Sequence, residues 1–365
     1  MKKLEVFKDK KILITGNTGF KGAWLTQWLV NLGASVTGFS IDVPSTPSLF
    51  AVLDLEKKID HIWGDIRNKD HLQEVVREKT PDFIFHLAAQ SLVRDSYNDP
   101  HKTYTTNIIG ILNVLESIRT LNYSCVCVLV TSDKCYENVE QIWGYRESDR
   151  LGGKDPYSSS KACAELVIRS YVSSFFANSG LVKLGVGRAG NVIGGGDWAE
   201  DRVVPDSVRA WSDGKTVFLR NPSATRPWQH VLEPLSGYLN LALALKKSPQ
   251  LHGQAFNFGP SPNQNYSVGS LVSAMEKYWP NVKWEDISEK DKGPFESGLL
   301  KLDCDKAFNC LNWHSVWNFE STVRETTLWY RAYYNKSERS IKDFTLQQIE
   351  SYMHLAKEQG LEWAQ

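Results

Sequence analysis

Tyr157 and Lys161 stand four residues apart in the stretch Tyr157-Ser158-Ser159-Ser160-Lys161. On a helix that spacing puts both side chains on one face, with Cβ atoms about 5–6 Å apart. A phenol is a poor base at neutral pH, but a neighbouring ammonium favours its ionised form. Such a pair can accept the proton of an alcohol while a hydride leaves the carbon. Tyr-x-x-x-Lys is common and carries no function alone, so its company decides. Upstream, the apolar run 126–130 ends at Thr131-Ser132-Asp133-Lys134. A hydroxyl, a carboxylate and an amine then sit at the C-terminal edge of a buried strand, where open α/β sheets bind ligands.

The elements that must position these groups are legible in the same way. A short apolar strand at 11–15 runs directly into Gly16-Asn17-Thr18-Gly19-Phe20-Lys21-Gly22, and residues 23–31 continue with apolar positions at helical spacing. Strand, glycine-rich turn and helix in that order form the context of a dinucleotide-phosphate site. Glycine permits the tight turn and lets pyrophosphate approach backbone N–H groups at a helix start. Further strands are expected at 35–40, 59–64, 82–90, 125–130 and 183–186, with a helix at 105–119. Strands alternating with helices predict an α/β fold: a doubly wound, mainly parallel Rossmann sheet with right-handed crossovers.

After residue 191 the character changes to polar, proline-bearing segments. The expected division is a dinucleotide-binding domain over 1–190 and a smaller, mixed α/β substrate domain over 191–365. Segments near 228–260, with a helix-like 235–245 and a strand-like 255–258, are expected to return to the first domain. Leu346, Ile349, Met353 and Ala356 form one apolar helix stripe, which suits packing on its own subunit or a subunit contact.

Lys+Arg 42 against Asp+Glu 42 leaves no net charge, so nothing favours nonspecific attraction to nucleic acid or anionic membrane. No apolar run approaches the roughly 18 residues of a membrane span, and the charged N-terminal stretch lacks a signal core. A cytoplasmic protein is expected. Six cysteines show no CxxC pair and no histidine at zinc-ligand spacing, so reduced structural thiols and no metal are expected.

Together these motifs resemble the extended short-chain dehydrogenase/reductase family, in particular its nucleotide-sugar 4,6-dehydratases, over roughly residues 8 to 330. The resemblance implies cofactor contacts at Gly16, Asn17, Thr18, Gly19, Phe20, Lys21 and Gly22 of the turn. It further implies them at Asp65 and Ile66 for the adenine, at Leu87, Ala88 and Ala89 of a strand end, and at Asn107. Ser132, Tyr157 and Lys161 match the catalytic set, with Tyr157 and Lys161 also on the cofactor. Gln90, Ser132 and Asn191 match substrate contacts. Arg202 and Arg226 are candidate diphosphate clamps or solvated arginines, and His230 is a substrate contact or a polar core group.

Asp133-Lys134 separates reactions within the family. An epimerase needs only the hydroxyl, Tyr and Lys, whereas a 4,6-dehydratase must also remove the sugar C5 proton and expel the C6 hydroxyl. Once C4 is a ketone the C5 proton is acidified, so a base and an acid suffice. Members acting on thymidine diphosphate sugars usually carry Asp-Glu here. Asp-Lys resembles the branch acting on cytidine diphosphate glucose, in deoxysugar and O-antigen biosynthesis. Lys134 must be neutral to act as base, a state favoured by exclusion of water and by Lys161 and opposed by Asp133. The plain alternative is a surface ion pair.

The resemblance implies tightly bound NAD, recycled within each turnover, and a homodimer or homotetramer. The family often places an acid at the end of the second strand to hold the ribose. Ser40 stands there instead and tolerates either a free hydroxyl or a phosphate, so NADP stays open. Other readings are a nucleotide-sugar 4-epimerase, a dehydratase for another nucleotide sugar, or a non-catalytic nucleotide sensor.

Overall fold

The computed structural model describes residues 3–177, 180–289, 299–336 and 340–365. Seven strands form one parallel sheet: β1 (Lys11–Thr15), β2 (Ser35–Ser40), β3 (Asp60–Trp63), β4 (Phe83–His86), β5 (Cys125–Val130), β6 (Val182–Arg188) and β7 (Ala255–Asn257). Their spatial order is β7-β6-β5-β4-β1-β2-β3, with the reversal between β1 and β4. That reversal opens a crevice at the C-terminal strand ends, the site of ligand binding in such sheets. The doubly wound fold expected from the alternation is therefore present.

Alternation along the strands divides the core into two layers. Ile12, Ile14, Phe83, Phe85, Val126 and Val128 point to one face, and Leu13, Ile84, Cys127 and Leu129 to the other. The first face is covered by α1 (Phe20–Asn31) and the second by α2 (Lys69–Lys79), α3 (Gly110–Arg119) and α4 (Pro156–Tyr171). In the second half of the chain α5 (Val203–Ser212) precedes α6 (Leu232–Lys247), which packs on the first face through Leu235, Leu239 and Leu241. With β7 pairing β6, the segment after residue 228 contributes both a helix and a strand to the main sheet.

The helix expected at 105–119 is α3 preceded by a π-helical turn, Thr105–Ile109. Strand β6 is longer than the expected 183–186 and ends on a buried arginine, Arg188, which an ion pair with Glu165 makes tolerable. The chain then forms α7 (Phe319–Tyr334) and α8 (Ile341–Glu358). The stripe on α8 packs on its own subunit. Ile349, Met353 and Ala356 are buried, Leu346 partly so, and Tyr352 meets Trp28 of α1 edge-on at 5.9 Å. All six cysteines are free thiols. Among the described residues no helix is long and apolar enough to cross a membrane, and no cluster of possible metal ligands occurs.

Candidate active site

The glycine turn lies at the end of β1 and is built by contacts only glycine permits. Gly16 has φ +78°, and a Cβ there would stand 2.6 Å from the Ala88 amide nitrogen. A Cβ on Gly22 would meet the Gly16 carbonyl oxygen at 2.0 Å, so α1 can rise directly over the turn. Gly19 precedes Phe20, the first residue of α1, and its own Cβ position touches only the Gly16 oxygen, at 3.4 Å. The turn therefore presents backbone N–H groups at a helix N-terminus with space in front of them. That cradle fits a dinucleotide pyrophosphate.

Side chains of the turn look inward. Asn17 and Thr18 are buried; Asn17 Oδ1 accepts the Ser40 hydroxyl at 2.7 Å, and Thr18 Oγ1 donates to the Asp42 carbonyl at 2.7 Å. Ser40 also accepts the Thr18 amide, so its hydroxyl braces the turn. Asp65 is held by Arg67, whose Nε donates to Oδ2 at 2.8 Å, and Ile66 is buried against Gly110 of α3. Leu87 and Ala88 continue from β4 beside β1, with the Leu87 amide donating to the Thr15 carbonyl at 3.0 Å, and Ala89 follows half-buried.

Asn107 ties this edge to α4, the helix that carries Tyr157 and Lys161. Its Nδ2 donates to Ser160 Oγ at 2.8 Å and to the Gln90 carbonyl at 3.0 Å, while Oδ1 accepts the Gln90 amide at 2.9 Å. Gln90 itself bonds Leu92 and Thr103, so its side chain braces its own loop.

Helix α4 starts where it must for chemistry. Pro156 occupies the first position and Asp155 caps the Ser158 amide at 2.9 Å. Tyr157 and Lys161 then face inward at 8% and 6% exposure, with the Lys161 amine 6.0 Å from the Tyr157 ring centre. The phenol is pushed up to about 12 by burial; a hydrogen bond with Ser132 and the charge of Arg202 oppose this, and Asp133 adds to it. The lowering expected from Lys161 is thus outweighed by burial in the protein alone. Burial also pushes Lys161 down to about 8, against the neighbouring Cys135 and Glu165.

Strand β5 ends at Val130, just before Thr131, and Asp133–Cys135 makes one 3-10 turn capped by Ser132. Ser132 and Asp133 are buried, whereas Lys134 is half-buried and makes no side-chain ion pair among the described residues. Asp133 Oδ1 accepts the Ser132 hydroxyl at 2.9 Å, and Oδ2 accepts Asn191 Nδ2 at 3.3 Å. The alternative reading, a surface ion pair between Asp133 and Lys134, is therefore not what forms. A proton must reach Asp133 before it can serve as an acid, since both its oxygens are acceptors here.

From the second half, Arg202 is held by Asp197 through Nη1 to Oδ2 at 2.8 Å, and its charge reaches both Tyr157 and Lys21. Lys21 leaves the glycine turn and faces Asp133, Arg202 and Lys161; burial pushes it down to about 8. Arg226 is buried at 8% exposure on the strand Thr225–Arg226. His230 is fully buried between Trp24 and Trp317, its ring 5.9 and 4.7 Å from theirs, and burial pushes it down to about 3. It is a core group and not a substrate contact. Asp197 and Glu165 escaped the sequence reading. Only the i+4 step from Lys161 to Glu165 gave a signal.

The parallel sheet, the glycine turn and the Ser132, Tyr157, Lys161 constellation define an extended short-chain dehydrogenase/reductase. The family model for GDP-mannose 4,6 dehydratase matches residues 13–326, and the chain belongs to that family. The chain is 42% identical to the CDP-glucose 4,6-dehydratase of Salmonella typhimurium over 349 residues, 93% of this chain and 97% of that protein. Its fold matches an epimerase from Methanothermobacter thermautotrophicus with a TM-score of 0.76 at 22% identity, covering 92% of this chain and 97% of that one. It also matches the dTDP-glucose 4,6-dehydratase of Bacillus anthracis in complex with NAD, with a TM-score of 0.71 at 20% identity, covering 88% and 96%.

Proposed function

We propose that this protein converts CDP-D-glucose to CDP-4-keto-6-deoxy-D-glucose, an NAD-dependent 4,6-dehydration. The observation that carries this reading is Asp133-Lys134 beside Ser132, Tyr157 and Lys161 at one sheet edge, supported by likeness along nearly the whole of a CDP-glucose 4,6-dehydratase. The glycine cradle, with Asp65, Ile66, Leu87, Ala88, Ala89 and Asn107 around the crevice, would hold NAD. Held there, NAD would supply reversible hydride transfer, out of C4 and back at C6, so the cycle would need no outside oxidant. NADP is not favoured, since the relatives of known cofactor carry NAD.

Tyr157 accepts the proton of the C4 hydroxyl, with Ser132 bonding the same oxygen and Lys161 supplying the positive charge that favours phenolate. Lys134 removes the C5 proton acidified by the C4 ketone, and Asp133 delivers a proton to the departing C6 oxygen as water. Arg202 and Arg226 bind the diphosphate, with Asn191 beside it.

The reaction belongs to deoxysugar biosynthesis, and the protein works in the cytoplasm as a homodimer or homotetramer. Ile109, Leu166 and Phe175, each between 42% and 55% exposed around α3 and α4, support self-association. A sedimentation measurement decides it, a monomer at micromolar concentration counting against.

The test of function is incubation with CDP-, dTDP-, UDP- and GDP-glucose without added reductant, looking for the base-induced chromophore of a 4-keto-6-deoxy sugar. Turnover confined to C4 inversion would establish an epimerase instead.

A further inference from the structure

The roles given to Tyr157 and Lys161 leave the most polar buried cluster beside them unused. Arg188, at the end of β6, is fully buried and meets Glu165 of α4 fork to fork: Nε donates to Oε1 at 2.8 Å and Nη2 to Oε2 at 2.9 Å. Thr131 Oγ1 donates to the same Oε1 at 2.6 Å. Arg188 Nη1 donates to the Tyr136 hydroxyl at 2.7 Å, which donates in turn to Asn257 Oδ1 at 2.7 Å. Four of the five members lie close in sequence to a residue of the site. Thr131 precedes Ser132, Tyr136 follows Lys134 by two, Arg188 precedes Asn191 by three, and Glu165 lies one helical turn beyond Lys161.

Stability gives no reason for this cluster. Burying two charges costs several kcal/mol per ion before their attraction returns it, and an apolar pair of like volume often serves a core as well. What apolar residues cannot supply is direction and charge.

We propose that Glu165 and Arg188 are a positioning pair for the reaction, locking α4 to the ends of β5 and β6, with Glu165 as the negative charge that keeps Lys161 an ammonium. The proposal rests on the reading of Tyr157 and Lys161 as a proton-transfer pair. The groups facing Lys161 are Glu165 on its own helix, Cys135 from the turn after β5, His86 from β4, Lys21 from α1 and the Tyr157 ring. Burial holds the Cys135 thiol neutral by raising it well above its ordinary value, and holds His86 neutral by lowering it to about 3. Lys21 is a like charge. Glu165 is therefore the one acidic side chain in this set, and Arg188 fixes its carboxylate from the end of β6.

The test is titration of Lys161 by NMR with lysine labelled at the ε carbon, assigned with Lys161→Arg, in substrate-free protein. It stands apart from the dehydratase reading, because no sugar nucleotide enters it. Glu165→Gln is expected to lower the Lys161 transition by about one pH unit or more. Thr131→Val and Arg188→Lys disturb the geometry but keep Glu165 charged, and should leave that transition in place. No shift in Glu165→Gln, or equal shifts in all three, overturns the charge role. If Glu165→Gln does not fold, Glu165→Asp keeps the charge and breaks the two-pronged contact. It should keep the wild-type titration in substrate-free protein and, in a separate measurement with CDP-D-glucose as the hydride donor, slow single-turnover reduction of NAD+ about tenfold or more. A wild-type rate would overturn the positioning role.

Discussion

A Cβ on Gly190 would stand 2.1 Å from the Asp133 carboxylate carbon, so the acid after β5 fills the place of a side chain on the loop after β6. That contact seats the carboxylate between Ser132 and Asn191. Gly190→Ala must therefore push Asp133 off its bonds while leaving the glycine cradle untouched. Product formation is expected to fall about tenfold or more, with NAD affinity unchanged, because a displacement near 1 Å is enough to spoil a catalytic geometry. Turnover within twofold of wild type would remove Asp133 from the mechanism.

Lys134 gives a prediction of a different kind, because it separates two steps. It is half-buried and makes no ion pair among the described residues, so Lys134→Ala should fold normally. Solvent-deuterium incorporation at C5 should slow by about a hundredfold or more, the scale of a lost general base, with C4 oxidation nearly unchanged. Equal slowing of both steps would assign the C5 proton to another group.

The pH dependence of Tyr157 has a defined sign. Burial holds the phenol up near about 12, so in cofactor-free protein it stays protonated through pH 10. A nicotinamide ring placed beside it brings a positive charge, which favours the phenolate and moves ionisation down. The absorbance difference between wild type and Tyr157→Phe should therefore show a phenolate transition below pH 10 with NAD+ and none without it. An identical pair of titrations would mean that Tyr157 does not adjoin the nicotinamide. In single turnover, the rate of NAD+ reduction should rise with pH through the lowered transition.

What was legible in the sequence follows from how local each signal is. Strand β5 at 125–130 reads directly, because a strand buried on both faces is one continuous apolar run. Tyr157 and Lys161 read from a four-residue step, and the glycine turn from three glycines spaced within seven residues. Ser40 did not, since its partner Asn17 lies 23 positions away and a hydroxyl gives no hint whether it faces a turn or a ligand. His230 looked like a site group until Trp24 and Trp317, distant in sequence, closed around it. The Glu165–Arg188 pair needed the strand order, because only that order brings the end of β6 beside α4.

Glu233 supplies a prediction about stability that involves none of the chemistry. It begins α6 fully buried, and accepts the Trp317 amide at 2.8 Å, the Val316 amide at 2.9 Å and the Tyr352 hydroxyl at 2.7 Å. Burial raises the carboxyl to about 7 even though all three donors favour the ionised form. The folded state thus holds a proton that the unfolded chain, with a value near ~4.3, releases earlier. Glu233's contribution is whole below the unfolded value and declines as pH rises through about 7, by an amount of order 3 kcal/mol. Glu233→Gln cannot titrate, and its amide turns an N–H toward a donor, so it should be less stable than wild type at pH 5. The stability difference between the two proteins, read from urea unfolding, should then shrink between pH 5 and pH 8. A difference that stays constant or widens over that range would mean that the three donors prevail over burial and keep Glu233 ionised.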